Sequence, residues 1–163
     1  MSEGEATVPL MALDFQLVID CAEPHTLADW WADALGWEVE KGDENFIRRM
    51  VDEGHATEDE VTTHDGRLVW KVATAILHPD GREGGRPRIL FQQVPEPKTV
   101  KNRWHLDVEV TVRGSTLDER RAAIAAKVAD LVGRGATEVA TIEEDGGTFT
   151  VMLDPEGNEF CVQ

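Results

Sequence analysis

The chain has 163 residues, 41% of them hydrophobic, and a formal net charge of −16 at pH 7. That length suits one domain or two small modules packed together, and so acidic a surface repels phosphate backbones and anionic lipid, which argues against nucleic acid and membrane partners. No apolar run approaches the ~20 residues of a membrane span, no basic-then-apolar leader is visible, and two cysteines are too few for a secreted disulfide scaffold, so a cytoplasmic location is expected.

Residues 1–12 read as a lead-in. From Phe15 to Cys21 the chain alternates, with Phe15, Leu17, Ile19 and Cys21 on one face and Gln16, Val18 and Asp20 on the other, the signature of a half-buried strand. Pro24 suits the first turn of a helix, Leu27, Trp31, Ala34 and Leu35 give that helix an apolar stripe to residue 35, and Gly36 is placed to cap it. Trp37 to Glu40 is a short strand. Glu44 to Glu53 can form a helix with Phe46, Ile47 and Met50 on one side, and the acidic stretch 57–66 reads as loop. A long strand over 68–77 passes through Trp70, a Pro/Gly-rich turn with Gly81, Gly84 and Gly85 spans 78–87, and a strand follows at 88–94.

After a linker at 95–103 the same pattern returns. Trp104 to Val112 alternates, Thr116 with Glu119 makes a capping box, and Leu117, Ile124, Val128, Leu131 and Val132 form the inward face of a helix over 116–132. Strands at 137–142, 148–153 and 159–163 close the chain, with Asp154-Pro155-Glu156-Gly157 as the turn between the last two. The order is therefore βαβββ twice: a first module over 13–94 carrying an insertion at 43–66, and a second over 104–163. The expected fold class is α+β, two βαβββ modules forming a cupped, mainly antiparallel sheet whose concave side is the place for function.

The ending Asp154-Pro155-Glu156-Gly157-Asn158-Glu159-Phe160-Cys161-Val162, the phrase Leu90-Phe91-Gln92-Gln93-Val94-Pro95-Glu96-Pro97-Lys98, and Lys101-Asn102-Arg103-Trp104-His105-Leu106-Asp107 resemble the glyoxalase-like domain subfamily of the vicinal oxygen chelate superfamily, which includes glyoxalase I, extradiol dioxygenases and the bleomycin- and fosfomycin-resistance proteins. The resemblance covers essentially residues 13–163. It implies four positions for a divalent-metal site, one from the first and one from the last strand of each module. Carried over, these are Gln16, Gln92, His105 and Cys161, and the repeat makes the same match of Gln16 with His105 and Gln92 with Cys161. The family pattern uses histidines and glutamates there. Two neutral amides are poor replacements, which leaves two strong ligands where a catalytic zinc takes three. No cofactor is expected, and zinc is the best candidate if a metal occurs.

His105 is the one histidine that strand parity aims into the cup, and Asp107 shares its face two residues on. Together they can act as general acid and base or simply satisfy each other in a wet cavity. Cys161 is a nucleophile only if something lowers its pKa. Lys98, Lys101 and Arg103 concentrate positive charge beside the cup, either to draw in an anion or to clasp local acids, and Trp70 and Trp104 are candidates for its lining. The first expectation is a small-molecule-binding protein whose ligand is polar or anionic, with Gln16, Gln92, Cys161, Trp70, Trp104, Lys101 and Arg103 around it and a homodimer compatible with the chain. The second is a metal-independent lyase, isomerase or dehydratase working through His105 and Asp107. The third is a metal-dependent glyoxalase or dioxygenase.

Overall fold

The computed structural model describes residues 15–81, 86–144 and 147–163. The lead-in 1–12, with Gly84 and Gly85 of the Pro/Gly-rich turn, lies outside these. In chain order the elements are β1 (Leu17–Cys21), α1 (Pro24–Leu35), β2 (Glu38–Val39), α2 (Glu44–Asp52), a 3-10 turn (Glu58–Glu60), β3 (Val61–His64), β4 (Arg67–Trp70), β5 (Ala73–Leu77), β6 (Ile89–Gln93), β7 (Asp107–Val108), α3 (Leu117–Gly133), β8 (Thr137–Glu144), β9 (Gly147–Leu153) and β10 (Glu159–Val162).

The strands form two four-stranded sheets of identical plan, β1-β6-β5-β2 and β7-β10-β9-β8, plus the separate hairpin β3-β4. In each sheet the first strand of the half lies parallel to the last (β1 with β6, β7 with β10) and the remaining pairs are antiparallel. The fold is α+β and internally repeated, as the alternation of periods predicts. Among the described residues no helix is long and apolar enough to cross a membrane.

Local chemistry explains the helix ends. Pro24 sits in the first turn of α1, and Gly36 closes it at φ 68°, a left-handed conformation that a side chain would strain. Thr116 and Glu119 make the reciprocal capping box at the start of α3. The buried side of α3 is narrower than its sequence suggests: Ile124, Val128 and Leu131 are buried, whereas Leu117 and Val132 are exposed, because the sheet meets only the i, i+4, i+7 row.

Three elements differ from the sequence reading. The acidic stretch 57–66 is not loop throughout. Val61 to His64 is a strand paired with Arg67 to Trp70, joined through Asp65-Gly66 at φ 48° and 74°, the two-residue Asp-Gly turn that hairpins favour. The expected strand 68–77 therefore breaks at Lys71-Val72 into β4 and β5, which belong to different sheets. The expected strand 104–112 shrinks to Asp107–Val108, although backbone bonds from Cys161 to Leu106 and from Val110 to Gln163 extend the contact at both ends.

One hydrophobic cluster runs through both halves, and Leu27, Trp31, Ile76, Phe91, Leu131, Met152 and Phe160 belong to it. Helix α1 is what joins them. It packs on β5 and β6 of its own half, while Trp30 and Trp31 lie edge-on to Phe160 of the other, with ring centroids 5.9 and 5.0 Å away. The Asp154-Pro-Glu-Gly-Asn turn completes the joint. The buried Asp154 carboxylate accepts from Trp31 Nε1 at 3.1 Å, from the backbone N–H groups of Glu156 and Asn158, and twice from the Asn158 amide. Glu156 accepts from the backbone N–H groups of Ala22 and Glu23 at 2.7 and 2.9 Å, placing a carboxylate of the second half at the positive end of the α1 dipole. Sequence alone shows this motif as a turn; in the fold it is also the bracket between the halves.

Candidate functional site

Where β1 faces the segment leading into β7, the halves leave a cavity of about 1030 Å³. Val18, Val94, Pro97 and Leu106 give it apolar walls, and Asn102, Arg103, Trp104 and His105 enter it from the linker. Trp104 is 87% exposed, so its ring is offered to whatever occupies the space.

The structure brings together three side chains of the second half. Parallel pairing sets Asp107 directly opposite Cys161, and His105 lies two residues before Asp107 on the same face. Nε2 of His105 is 3.4 Å from Asp107 Oδ1, and one donor atom each from His105, Asp107 and Cys161 all fall within 4.8 Å of one another. Asp107 is further held by the Gln163 amide at 3.2 Å. Burial pushes the Cys161 thiol above its usual pKa, and the negative charge of Asp107 pushes the same way, with Lys101 pulling partly against them. At neutral pH Cys161 is a thiol, not a ready nucleophile. Cys21 is buried and driven to about 12 by burial and then by Glu156, so neither cysteine is activated, and both are free.

The first half offers no matching imidazole or thiol. Asp20 pairs with Gln92 as Asp107 pairs with Cys161. Measured against the last strand of each half, the counterpart of His105 is therefore Val18, and Gln16 lies two residues further out. Gln16 Oε1 accepts from Arg88 Nη1 at 2.9 Å, and the same guanidinium pairs with Glu40. Gln92 is exposed on β6. Gln16, Gln92, Asp107, Cys161, Trp70 and Lys101 do not line the cavity, whereas Arg103, Trp104 and His105 do. Trp70 is half-buried in the hairpin, where its carbonyl engages His25.

The four positions implied by the superfamily do not fit a shared chelate. An amide already bonded to a guanidinium, a second neutral amide on another strand and an apolar Val18 at the height of His105 supply no anionic oxygen or imidazole at those positions, although Asp20, the counterpart of Asp107 in register, brings one carboxylate of the first half to the cavity. The second half alone, with imidazole nitrogen, carboxylate oxygen and thiol sulfur, has the donor chemistry of a borderline-soft ion such as zinc.

Of the three linker cations, Lys98 is committed to a clasp. Its ammonium is 3.0 Å from Glu159, whose carboxylate also accepts from the Asn102 backbone N–H at 3.0 Å. That N–H, with Lys98 beside it, lowers the Glu159 pKa to about 2. Among the described residues Lys101 and Arg103 have no carboxylate partner. The linker thus divides the two roles open to it: Lys98 ties it to β10, and Arg103 faces the cavity. The clasp on local acids expected of the linker finds its acid in Glu159, which, with the apolar wall of Val18, Val94 and Leu106, went unrecognised in the sequence, although the Lys101-Asn102-Arg103 phrase and the alternation of β1 were the signals.

The family described as "Glyoxalase-like domain" matches residues 16–163. No curated protein sequence matches. Among solved structures, a glyoxalase/bleomycin resistance protein/dioxygenase family enzyme from Burkholderia phytofirmans PsJN is similar with a TM-score of 0.55 at 15% identity, covering 90% of this chain and 94% of that one. A glyoxylase/bleomycin resistance protein/dioxygenase domain from Frankia sp. EAN1pec gives 0.53 at 11%, covering 94% and 97%. A variant of the fosfomycin resistance protein FosX from Listeria monocytogenes, complexed with Mn(II) and 1S,2S-dihydroxypropylphosphonic acid, gives 0.52 at 10%, covering 94% and 92%. At these identities the likeness to solved structures is one of fold. With the family match spanning nearly the whole chain, two repeated halves and a cavity between them, the chain belongs to the glyoxalase-like domain family of the vicinal oxygen chelate superfamily.

Proposed function

We propose that this protein binds a small, partly apolar metabolite, anionic at one end, in the cavity between its halves. The observation that carries this is Arg103 at the cavity wall without a carboxylate partner, beside the exposed Trp104 ring, in a chain of net charge −16. The lining also carries Asp20, Glu23 and Glu96, so among the described residues it is Arg103, with no carboxylate partner and beside Val18, Val94 and Leu106, that can meet the charged end of the ligand. The fosfomycin resistance relative in fold holds a phosphonic acid, which agrees with an anionic ligand class. Because Gln16, Gln92 and Val18 offer no imidazole or carboxylate at the positions the superfamily implies, the binding is read as independent of a metal shared between the halves, and the reading includes a cytoplasmic protein.

A metabolite-library thermal-shift screen is the direct test, since a ligand selective for the native state raises its stability. For the best anionic hit, Arg103→Ala should weaken binding more than Lys101→Ala, because only Arg103 lines the cavity. Added salt should weaken binding to the intact protein. Equal affinity in both variants and at both salt levels would overturn the reading.

The His105–Asp107 contact at 3.4 Å favours a second reading, a metal-independent lyase, isomerase or dehydratase. There the carboxylate orients the imidazole, and the imidazole moves a proton on a substrate carbon or oxygen. His105→Ala would then abolish turnover while keeping most of the ligand affinity. A binding protein has no turnover to lose.

A further inference from the structure

The insertion that interrupts the first half places a second group of donors outside the residues that line the cavity. His64 ends β3 and Asp65 begins the hairpin turn, while Asp29 lies on α1. His64 Nε2 is 2.6 Å from Asp29 Oδ2 and 3.9 Å from Asp65 Oδ2, and the three donor atoms lie within 4.8 Å of one another. His25, one helical turn before Asp29 and so on the same face of α1, stacks on the His64 ring with centroids 4.8 Å apart. Its Nε2 is 2.9 Å from the Trp70 carbonyl, and a carbonyl only accepts, so His25 donates there and its ring is fixed against β4.

Charge makes this group more than a hairpin contact. Among the described residues neither Asp29 nor Asp65 pairs with a Lys or Arg; each has only His64. With a neutral imidazole the two carboxylates carry an uncompensated double negative charge, in a chain already at −16. We propose that His64, Asp29 and Asp65 form a zinc-type divalent-cation site that clamps the β3–β4 hairpin onto α1. Imidazole nitrogen with two carboxylates suits Zn²⁺, completed by water. Zn–N and Zn–O distances of roughly 2.0–2.2 Å set neighbouring donors a little over 3 Å apart in a tetrahedron. The shorter observed separation must open and the longer must close, each by less than about 1 Å, and the Asp65 side chain is 85% exposed and free to swing.

The second-half donors His105, Asp107 and Cys161 can also take zinc, so the test is made in a His105→Ala/Cys161→Ser background. Metal-free protein titrated with Zn²⁺ by calorimetry should take up one equivalent, and the bound ion should slow tryptic cutting in the hairpin. Adding His64→Ala should weaken that uptake by well over about tenfold, the lower end of what even an outer-shell partner of a metal costs. Asp65→Asn serves as the second variant, since Asn tolerates the left-handed turn conformation and the side chain is exposed. It should weaken uptake as well. No uptake in the background protein, or uptake in the His64→Ala and Asp65→Asn variants as tight as in the background protein, would overturn the proposal.

Discussion

The bracket between the halves makes Asp154→Ala the most informative single change. Asp154 is 3% exposed and accepts five hydrogen bonds, from Trp31 Nε1, two backbone N–H groups and both donors' worth of contact from the Asn158 amide. A hydrogen bond to a charged group contributes about 1.5–3 kcal/mol, and a donor left buried without a partner costs about 1–3 kcal/mol. The bonds are not additive, and the turn can relax toward water at Pro155 and Glu156. The loss is therefore set mainly by Trp31 Nε1, which is buried in the core and cannot relax, together with the two backbone donors. That gives a destabilisation of about 4 kcal/mol, a large share of the 5–15 kcal/mol typical of a domain. At 2–4 °C per kcal/mol for a chain of this size, Tm should fall by roughly 8–16 °C. Trp31→Phe removes one donor and keeps the ring contacts with Phe160, so it should cost less, about 1.5–3 kcal/mol. Urea denaturation of both single variants and the double variant gives the coupling between them. Asp154→Ala costing less than about 1 kcal/mol, or no coupling to Trp31, would show that the motif only turns the chain.

Two further expectations rest on shifted pKa values. Glu159 falls from 4.5 to about 2 on folding, because the Asn102 N–H and Lys98 favour its charged form; an acid with a depressed folded pKa contributes stability that is complete above the unfolded value and lost as pH falls through the folded one. The stability of the intact protein should thus decline between pH 4.5 and about 2, and Glu159→Gln should flatten that part of the pH–stability curve; an unchanged slope by chemical denaturation would refute it. For Cys161, whose thiol is raised by burial and then by Asp107, Asp107→Asn should speed alkylation by iodoacetamide at pH 7.5, while Cys21, buried and at about 12, stays unmodified in the native protein; a slower Cys161 in that variant would contradict the assigned cause.

How much of this was legible beforehand divides along physical lines. Period-2 alternation placed β1, and its partition holds from Leu17 onward, with Leu17 and Ile19 half-buried and Cys21 buried while Val18 and Asp20 are exposed; Phe15, expected on the inward face, precedes the strand and is exposed. Helix ends were legible because Gly36 and the Thr116–Glu119 box act through their own backbone. Strand β3 was masked by its composition. Its acidic neighbours suggested loop, yet Val61, Thr62 and Thr63 are β-branched, and Asp65-Gly66 is a hairpin signal that counts only once β4 is available opposite.

The site shows a sharper limit. Parity put His105 and Asp107 on one face, and their donor atoms do lie with that of Cys161 within 4.8 Å of one another, because the Asp107–Cys161 register closes the group although His105 itself precedes β7. The same rule is blind to an even shift. Moving a strand by two residues keeps every side chain on its face, so matching Gln16 with His105 by repeat looks as good as matching Val18 with it. Only the pairing of Asp20 with Gln92 decides, and that pairing is a long-range fact fixed by the packing of β6 on β1. Arg88 then finishes the distinction. It gathers Gln16 and Glu40 at the far end of the sheet, while Val18 turns to the cavity. The two halves repeat in fold and diverge in chemistry at this position, an imidazole in the second and the apolar Val18 in the first, and a cavity that sets Val18, Val94 and Leu106 beside Arg103 and His105 is suited to a ligand that is itself apolar at one end and charged at the other.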